Sequence, residues 1–165
     1  MSILEIQTGE NNEILRKKST PVEKVDRTIK KLAKNMVQTM KKANGLGIAA
    51  PQVGVNKRLF ITTLNEGDEK EMLVTMINPE ILWHSKEHEV GEEGCLSIPG
   101  IYKPVERFSA IRVKYLDLKG RENVIELEGL NARVIQHETD HLDGVLFVDR
   151  AVEGDLPESS SHVAF

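Results

Sequence analysis

Two histidines four residues apart, with a glutamate beside the first, stand at His137, Glu138 and His141. On a helix such a pair projects from one face, about one turn apart, and can grip a single metal ion. The adjoining carboxylate then reaches a water on that ion and serves as its base. Leu130, Val134, His137 and His141 follow at steps of four, three and four, so both imidazoles fall on one apolar stripe. A lone core histidine needs only hydrogen-bond partners. A pair flanking Glu138 favours a metal site.

A catalytic ion of this kind takes three protein ligands and leaves a position for water. The long metallopeptidase pattern wants a histidine six residues after the second; Gly144 fits it, but the histidine position is Phe147, and that pattern fails. The downstream Glu153 and Glu158 sit in a stretch without periodicity. The strong remaining candidate is Cys95, in Glu92-Glu93-Gly94-Cys95-Leu96-Ser97. A thiolate suits a borderline-soft divalent ion, and Gly94 lets the backbone come close. A lone cysteine is more often a small buried hydrophobe; the missing third ligand tips this one toward the metal. His84 and His88 read as surface strand residues. The segment Gly45-Leu46-Gly47-Ile48-Ala49-Ala50-Pro51-Gln52-Val53-Gly54 lacks the Lys-Ser/Thr ending of a phosphate loop. Its small residues fit backbone brought near a ligand, with Gln52 aiming a donor at it; a tight buried turn explains the segment equally well.

These side chains need elements to hold them. Ile29, Leu32, Ala33, Met36, Val37, Met40 and Ala43 recur at helical steps, which predicts a helix from about Asp26 to Asn44. Asp26 suits its N-cap, Asn44-Gly45 its stop, and the lysines off the stripe make a solvated face. Strands are expected over 58–64, 72–77, 81–86, 110–116 and 124–127, with a hairpin turn at Asp117-Leu118-Lys119-Gly120. A second helix is expected over 130–142, closed by Asp143-Gly144, and a last short strand over 146–148. The fold class is α+β: mostly antiparallel β-sheets packed around a buried metal-bearing helix, with one long N-terminal amphipathic helix. Residues 1–150 read as a single catalytic domain and 151–165 as an acidic, Ser-rich, flexible tail.

Composition agrees. A chain of 165 residues with 39% hydrophobic residues is an ordinary globular domain, long enough for a core without staples. With 22 basic and 26 acidic residues its net charge is -4, which argues against broad nucleic-acid or anionic-membrane binding. One cysteine excludes an intramolecular disulfide. The opening Met1-Ser2-Ile3-Leu4-Glu5-Ile6-Gln7 lacks the basic start and apolar run of a signal peptide, and no window reaches the roughly eighteen apolar residues of a membrane helix. A soluble protein is expected.

Three segments, Gly45 to Gln52, Glu93 to Ser97 and Gln136 to His141, together and in this order resemble the peptide deformylase family. The likeness runs from about residue 4 to residue 148. It implies an α+β fold and removal of the N-formyl group from nascent proteins that begin with formyl-methionine, with formate released in the cytoplasm of a bacterium or of a phage's host. It implies Cys95, His137 and His141 as metal ligands and Glu138 as general acid-base. Gln52 and the Leu96 N–H match the family's donors to the carbonyl oxygen, and backbone around Leu46 and Gly47 its peptide-binding edge. Pairing through the main chain ignores sequence, as an enzyme acting on many proteins requires. The implied ion is Fe²⁺ in the cell; the ligand set suits Zn²⁺, Ni²⁺ or Co²⁺ equally.

The methionine pocket is expected beside the ion, with Leu130 and Val134 on one wall, Leu46 on another, and Arg133 as a solvated residue at the rim. Glu93–Arg107 is a candidate ion pair that steadies the cysteine loop. Two departures stand out. Many family members carry an arginine where this chain has Tyr102, which puts a substrate contact in doubt, and nothing basic follows Arg150, which argues against the ribosome docking of members with a basic C-terminal helix. Two rivals stay open: a zinc metallopeptidase with a third ligand other than Cys95, and a metal-binding module in which Glu138 and Gln52 are dispensable.

Overall fold

The structure, a computed structural model, describes residues 2–157 and 160–165, so Glu158 lies outside the described residues. In chain order it contains α1 (Glu13–Arg16), α2 (Arg27–Lys42), β1 (Gly47–Ala49), β2 (Leu59–Leu64), β3 (Met72–His84), β4 (His88–Cys95), β5 (Ile98–Phe108), β6 (Ala110–Leu116), β7 (Glu122–Glu128) and α3 (Gly129–Leu142). Short 3-10 turns cover Ala50–Val53 and Phe147–Arg150. The class is α+β with antiparallel pairing throughout the named strands.

The larger sheet runs β1-β2-β3-β6-β7, and β4-β5 forms a separate hairpin. Successive side chains of a strand face opposite ways, and β2 uses both faces. Leu59 and Ile61 pack with Ile29, Ala33, Met36 and Met40 of α2. Phe60 and Leu64 pack with Ala132, Ile135 and Leu142 of α3. Burial on both sides explains why Leu59-Phe60-Ile61 is an unbroken apolar run, whereas β7 alternates exposed and half-buried residues. Helix α2 begins where expected, because the Asp26 carboxylate accepts from the Ile29 N–H at 3.0 Å.

Three local differences have physical causes. The strands expected over 72–77 and 81–86 are one strand, β3, with register shifts between Ile77 and Glu80 and between Ile81 and Trp83. Asn78, at φ 50°, marks the first irregularity, and its amide pairs with both backbone groups of Val22. Strands β4 and β5 were not expected, since their glycines, prolines and charges hide the β pattern. The strand expected over 146–148 is a 3-10 turn instead: the Asp149 carboxylate accepts from the Leu146 N–H and is held by Arg16, which curls the chain.

Phe60 is fully buried between sheet and α3. Phe60→Ala should cost about 3–5 kcal/mol of stability, read as a lower urea midpoint at unchanged slope.

Candidate metal centre

Helix α3 delivers His137 and His141 to the face it turns toward the end of β4, where Cys95 stands. One ligand atom from each of Cys95, His137 and His141 lies within 4.8 Å of the others, and all three residues are buried. The Cys95 Sγ is 3.3 Å from His141 Nε2. His137 Nδ1 is 2.8 Å from Glu93 Oε1, so beside this carboxylate the ring proton sits on Nδ1 and Nε2 keeps a bare lone pair. That Nε2 is buried without a hydrogen-bond partner. A soft sulfur and an imidazole lone pair aimed at one point fit a borderline divalent cation such as Zn²⁺ or Fe²⁺.

Glu93 is fully buried and anchors the centre. Arg107 donates to both its oxygens, through Nε and Nη2, each at 2.8 Å. Arg133 donates to it at 2.9 Å. Burial alone would raise this carboxyl, but the Arg107 and His137 hydrogen bonds and the Arg107 charge outweigh it and hold Glu93 well below the ordinary range. Arg107 also donates to Asp140 on α3, and its own charge is correspondingly reinforced. The ion pair expected between Glu93 and Arg107 is thus present. Arg133 differs from expectation: it is buried rather than solvated, and donates to the backbone carbonyls of Val105 and Glu89 as well as to Glu93. Gly91 makes room for it, since a Cβ there would stand 2.8 Å from the Arg133 guanidinium carbon.

The ordinary equilibria of the other groups are displaced toward their neutral forms. Burial pushes the Cys95 thiol up to about 12, with the Glu138 charge adding and the Ser97 N–H opposing. Burial also raises Glu138 well above the usual carboxylate range, helped by Glu93 and opposed by Arg107. His141 is driven well below its usual range by burial, then by His137 and Arg107. A bound cation would favour the thiolate and the neutral imidazole.

Glu138 is fully buried, and both its oxygens lack a hydrogen-bond partner. It lies against the backbone of Gly47, where a Cβ would come within 2.7 Å of Glu138 Oε2; only glycine leaves space for the carboxylate. Gln52, also fully buried, has a fixed amide. Its Oε1 accepts from the Ala49 N–H at 2.9 Å, and its Nε2 donates to Ser97 Oγ at 3.0 Å and lies 3.5 Å from Cys95 Sγ. The segments carrying Gln52, Cys95 and His137–His141 therefore meet at one place. Leu46 and Val134 share a small apolar cluster beside it, whereas Leu130 is 48% exposed and stands at the rim. His84 and His88 lie apart, His84 stacked on Phe108 and His88 edge-on to it.

Sequence reasoning missed the burial of Arg133 and the links through Asp140. Arg133 precedes His137 by one helical turn, so its place on the inner face was readable from spacing. Asp140 accepts from both Arg107 and Arg150, and no local pattern announces that convergence.

Comparison with known proteins gives a consistent result. The sequence profile of the polypeptide deformylase family matches residues 3–156. The peptide deformylase of Rhizobium meliloti (strain 1021) is 53% identical over 137 residues, 82% of this chain and 78% of that protein. The crystal structure of peptide deformylase from Thermotoga maritima superposes with a TM-score of 0.86 at 44% identity, covering 93% of this chain and all of that one. A Met-Ala-Ser-bound structure of class I type b peptide deformylase from Acinetobacter baumannii superposes with a TM-score of 0.84 at 41% identity, covering 91% of this chain and 99% of that one. With the profile spanning nearly all of its length, this chain belongs to the polypeptide deformylase family.

Proposed function

We propose that Cys95, His137 and His141 hold one divalent ion in this chain, and that Glu138, Gln52 and the Leu96 N–H carry out the family's hydrolysis beside it. That reaction removes the formyl group from the N-terminal methionine of nascent proteins. The observation that supports the assignment is the convergence of three ligand atoms within 4.8 Å of one another, next to a buried carboxylate without a partner. A divalent ion bound there supplies Lewis acidity, polarising the formyl carbonyl and acidifying water.

The chain's own groups do the rest. A carboxyl whose burial raises its affinity for protons, as at Glu138, is suited to take a proton from the attacking water and return it to the leaving amine. Gln52 Nε2 and the Leu96 N–H donate to the carbonyl oxygen as negative charge grows on it, and formate leaves. The Ala49 N–H pins Gln52 Oε1 and so decides which end of the amide faces the reaction. Leu46 and Val134 form the apolar seat for the methionine side chain, with Leu130 at its mouth. Backbone at Leu46 and Gly47 pairs with the peptide without regard to sequence. The Met-Ala-Ser complex of the Acinetobacter relative supports a short methionyl peptide as the bound form. The ion is Fe²⁺ in the cell, with Zn²⁺, Ni²⁺ or Co²⁺ as substitutes in purified protein. Residues 1–150 form the catalytic domain, acting on cytoplasmic nascent chains, and residues 151–165 carry no lysine or arginine.

The metal-loaded protein should release formate from formyl-Met-Ala-Ser and stop when a chelator is added; cleavage of unformylated peptides instead would support a peptidase. Glu138→Ala should keep its metal and lose about 10²–10⁴-fold in kcat/KM, as loss of a general acid-base does. Cys95→Ala should come off purification without stoichiometric metal, read by elemental analysis. Glu93→Gln, which removes the carboxylate behind His137, should weaken metal affinity about 10–100-fold in a chelator competition. An unchanged affinity would confine Glu93 to stability.

A further inference from the structure

The stretch from Ser160 to Phe165 returns across the molecule to the metal centre. The Phe165 N–H donates to the Gly94 carbonyl at 3.0 Å, and the Leu96 N–H donates to the Phe165 carbonyl at 3.2 Å. On its other side, the Leu46 N–H donates to the Ala164 carbonyl at 3.1 Å. The segment therefore fills the gap between the outer edge of β1 and the end of β4, and pairs parallel to β4 at Gly94. Phe165 is 2% exposed, clustered with Leu46 and Val134, and its ring stands edge-on to His137 with centroids 5.2 Å apart. Farther out, Glu92 accepts from the His162 backbone N–H and lies 2.7 Å from its Nδ1, while the His162 ring stacks on Tyr102 at 4.5 Å.

These contacts use the groups assigned above to the substrate: the Leu46 N–H, the Leu96 N–H, and the apolar seat of Leu46 and Val134. We propose that residues 160–165 are an intramolecular competitor, a segment that occupies the peptide cleft and must be displaced before a formyl-methionyl chain can bind. The proposal rests on the reading of Leu46, Leu96 and Val134 as substrate-contacting groups. The segment is not itself a substrate. A formylated peptide brings its N-terminus to the ligands and runs outward, whereas this segment runs inward and presents the side chain of Phe165. Being tethered, it competes at an effective concentration in the millimolar range without needing tight contacts. Its anchors at Glu92 and Tyr102 lie outside the reaction site and hold it in register.

The test compares the full Zn²⁺-loaded chain with a chain ending after Pro157 and with Phe165→Asp, which keeps the length intact should the shortened chain fail to fold. Removing the competitor raises the competent fraction, so KM for formyl-Met-Ala-Ser should fall at least about fivefold while kcat stays within about twofold. Hydrogen exchange read by mass spectrometry should show the Leu46 and Leu96 amides opening at least about tenfold faster in both altered chains. The peptide Ser-His-Val-Ala-Phe added to the shortened chain should inhibit competitively. An unchanged KM, or equal exchange at Leu46 and Leu96 in all three chains, overturns the proposal. If no chain releases formate, the hydrolytic reading fails separately and the exchange comparison alone decides where the segment sits.

Discussion

A single ionised carboxylate, Glu93, holds the centre together. It is not itself one of the three candidate ligands, yet it touches Arg107 of β5, Arg133 of α3 and His137 of α3 at once. Burying a carboxylate costs several kcal/mol, which only close, well-formed charge pairs offset. Two guanidinium groups supply them here, one bidentate, and the geometry of a fork donating to a fork fixes direction as well as distance. Arg107 then passes the constraint on through Asp140 to Arg150, so the β4-β5 hairpin, α3 and the turn after α3 cannot shift independently. Cys95 and the two histidines come from elements that share no hydrogen-bonded sheet, and this ionic lattice fixes their spacing.

The same lattice explains a division between charged and neutral groups. Charge is confined to the side of the centre where Glu93, Asp140, Arg107 and Arg133 balance one another. On the opposite side Cys95, His141 and Glu138 are buried without a salt bridge of their own among the described residues, and burial pushes each toward neutrality. A pocket that resists charge on three adjacent groups is a poor place for a structural ion pair and a good one for a dication, which would relieve all three at once. The glycine at 47 belongs to this arrangement: backbone, rather than a side chain, is brought against Glu138, so nothing competes for its oxygens.

Much of this was legible in the chain because the signals were local. The i, i+4 spacing of His137 and His141 fixes their common face, the helical stripe fixes α2 to within two residues at each end, and the apolar run within 58–64 announces a strand. What was not legible depends on partners distant in sequence. Strands β4 and β5 carry glycine, proline and charge at positions that pair well only because each lies opposite the other. The inner face of Arg133 was readable from its spacing to His137, but its burial was not, because that depends on Glu93, forty residues away, and on the open space at Gly91. The tail gave no periodic pattern because a single segment seated between two edges needs none; its placement follows from backbone groups already waiting at Leu46, Gly94 and Leu96.

Those waiting groups pose a problem that any cleft built from main chain must meet. Strand β1 is three residues long and lies at the end of its sheet, so that among the described residues no strand of that sheet pairs with its outer side. Such an edge recognises any extended peptide, which suits an enzyme that ignores sequence, but it pairs as readily with an unfolded chain or a second copy. Most proteins blunt a free edge permanently with charge, proline or a bulge, and that solution would abolish binding here. A segment from the same chain protects the edge reversibly. It satisfies Leu46 and Leu96 and covers Val134, and on the proposed reading it yields to a ligand that offers partners to the same groups and an anchor in the ion as well. Selectivity on that reading comes from what the segment lacks, a formyl oxygen for the proposed ion and its donors, rather than from any side chain that reads the peptide.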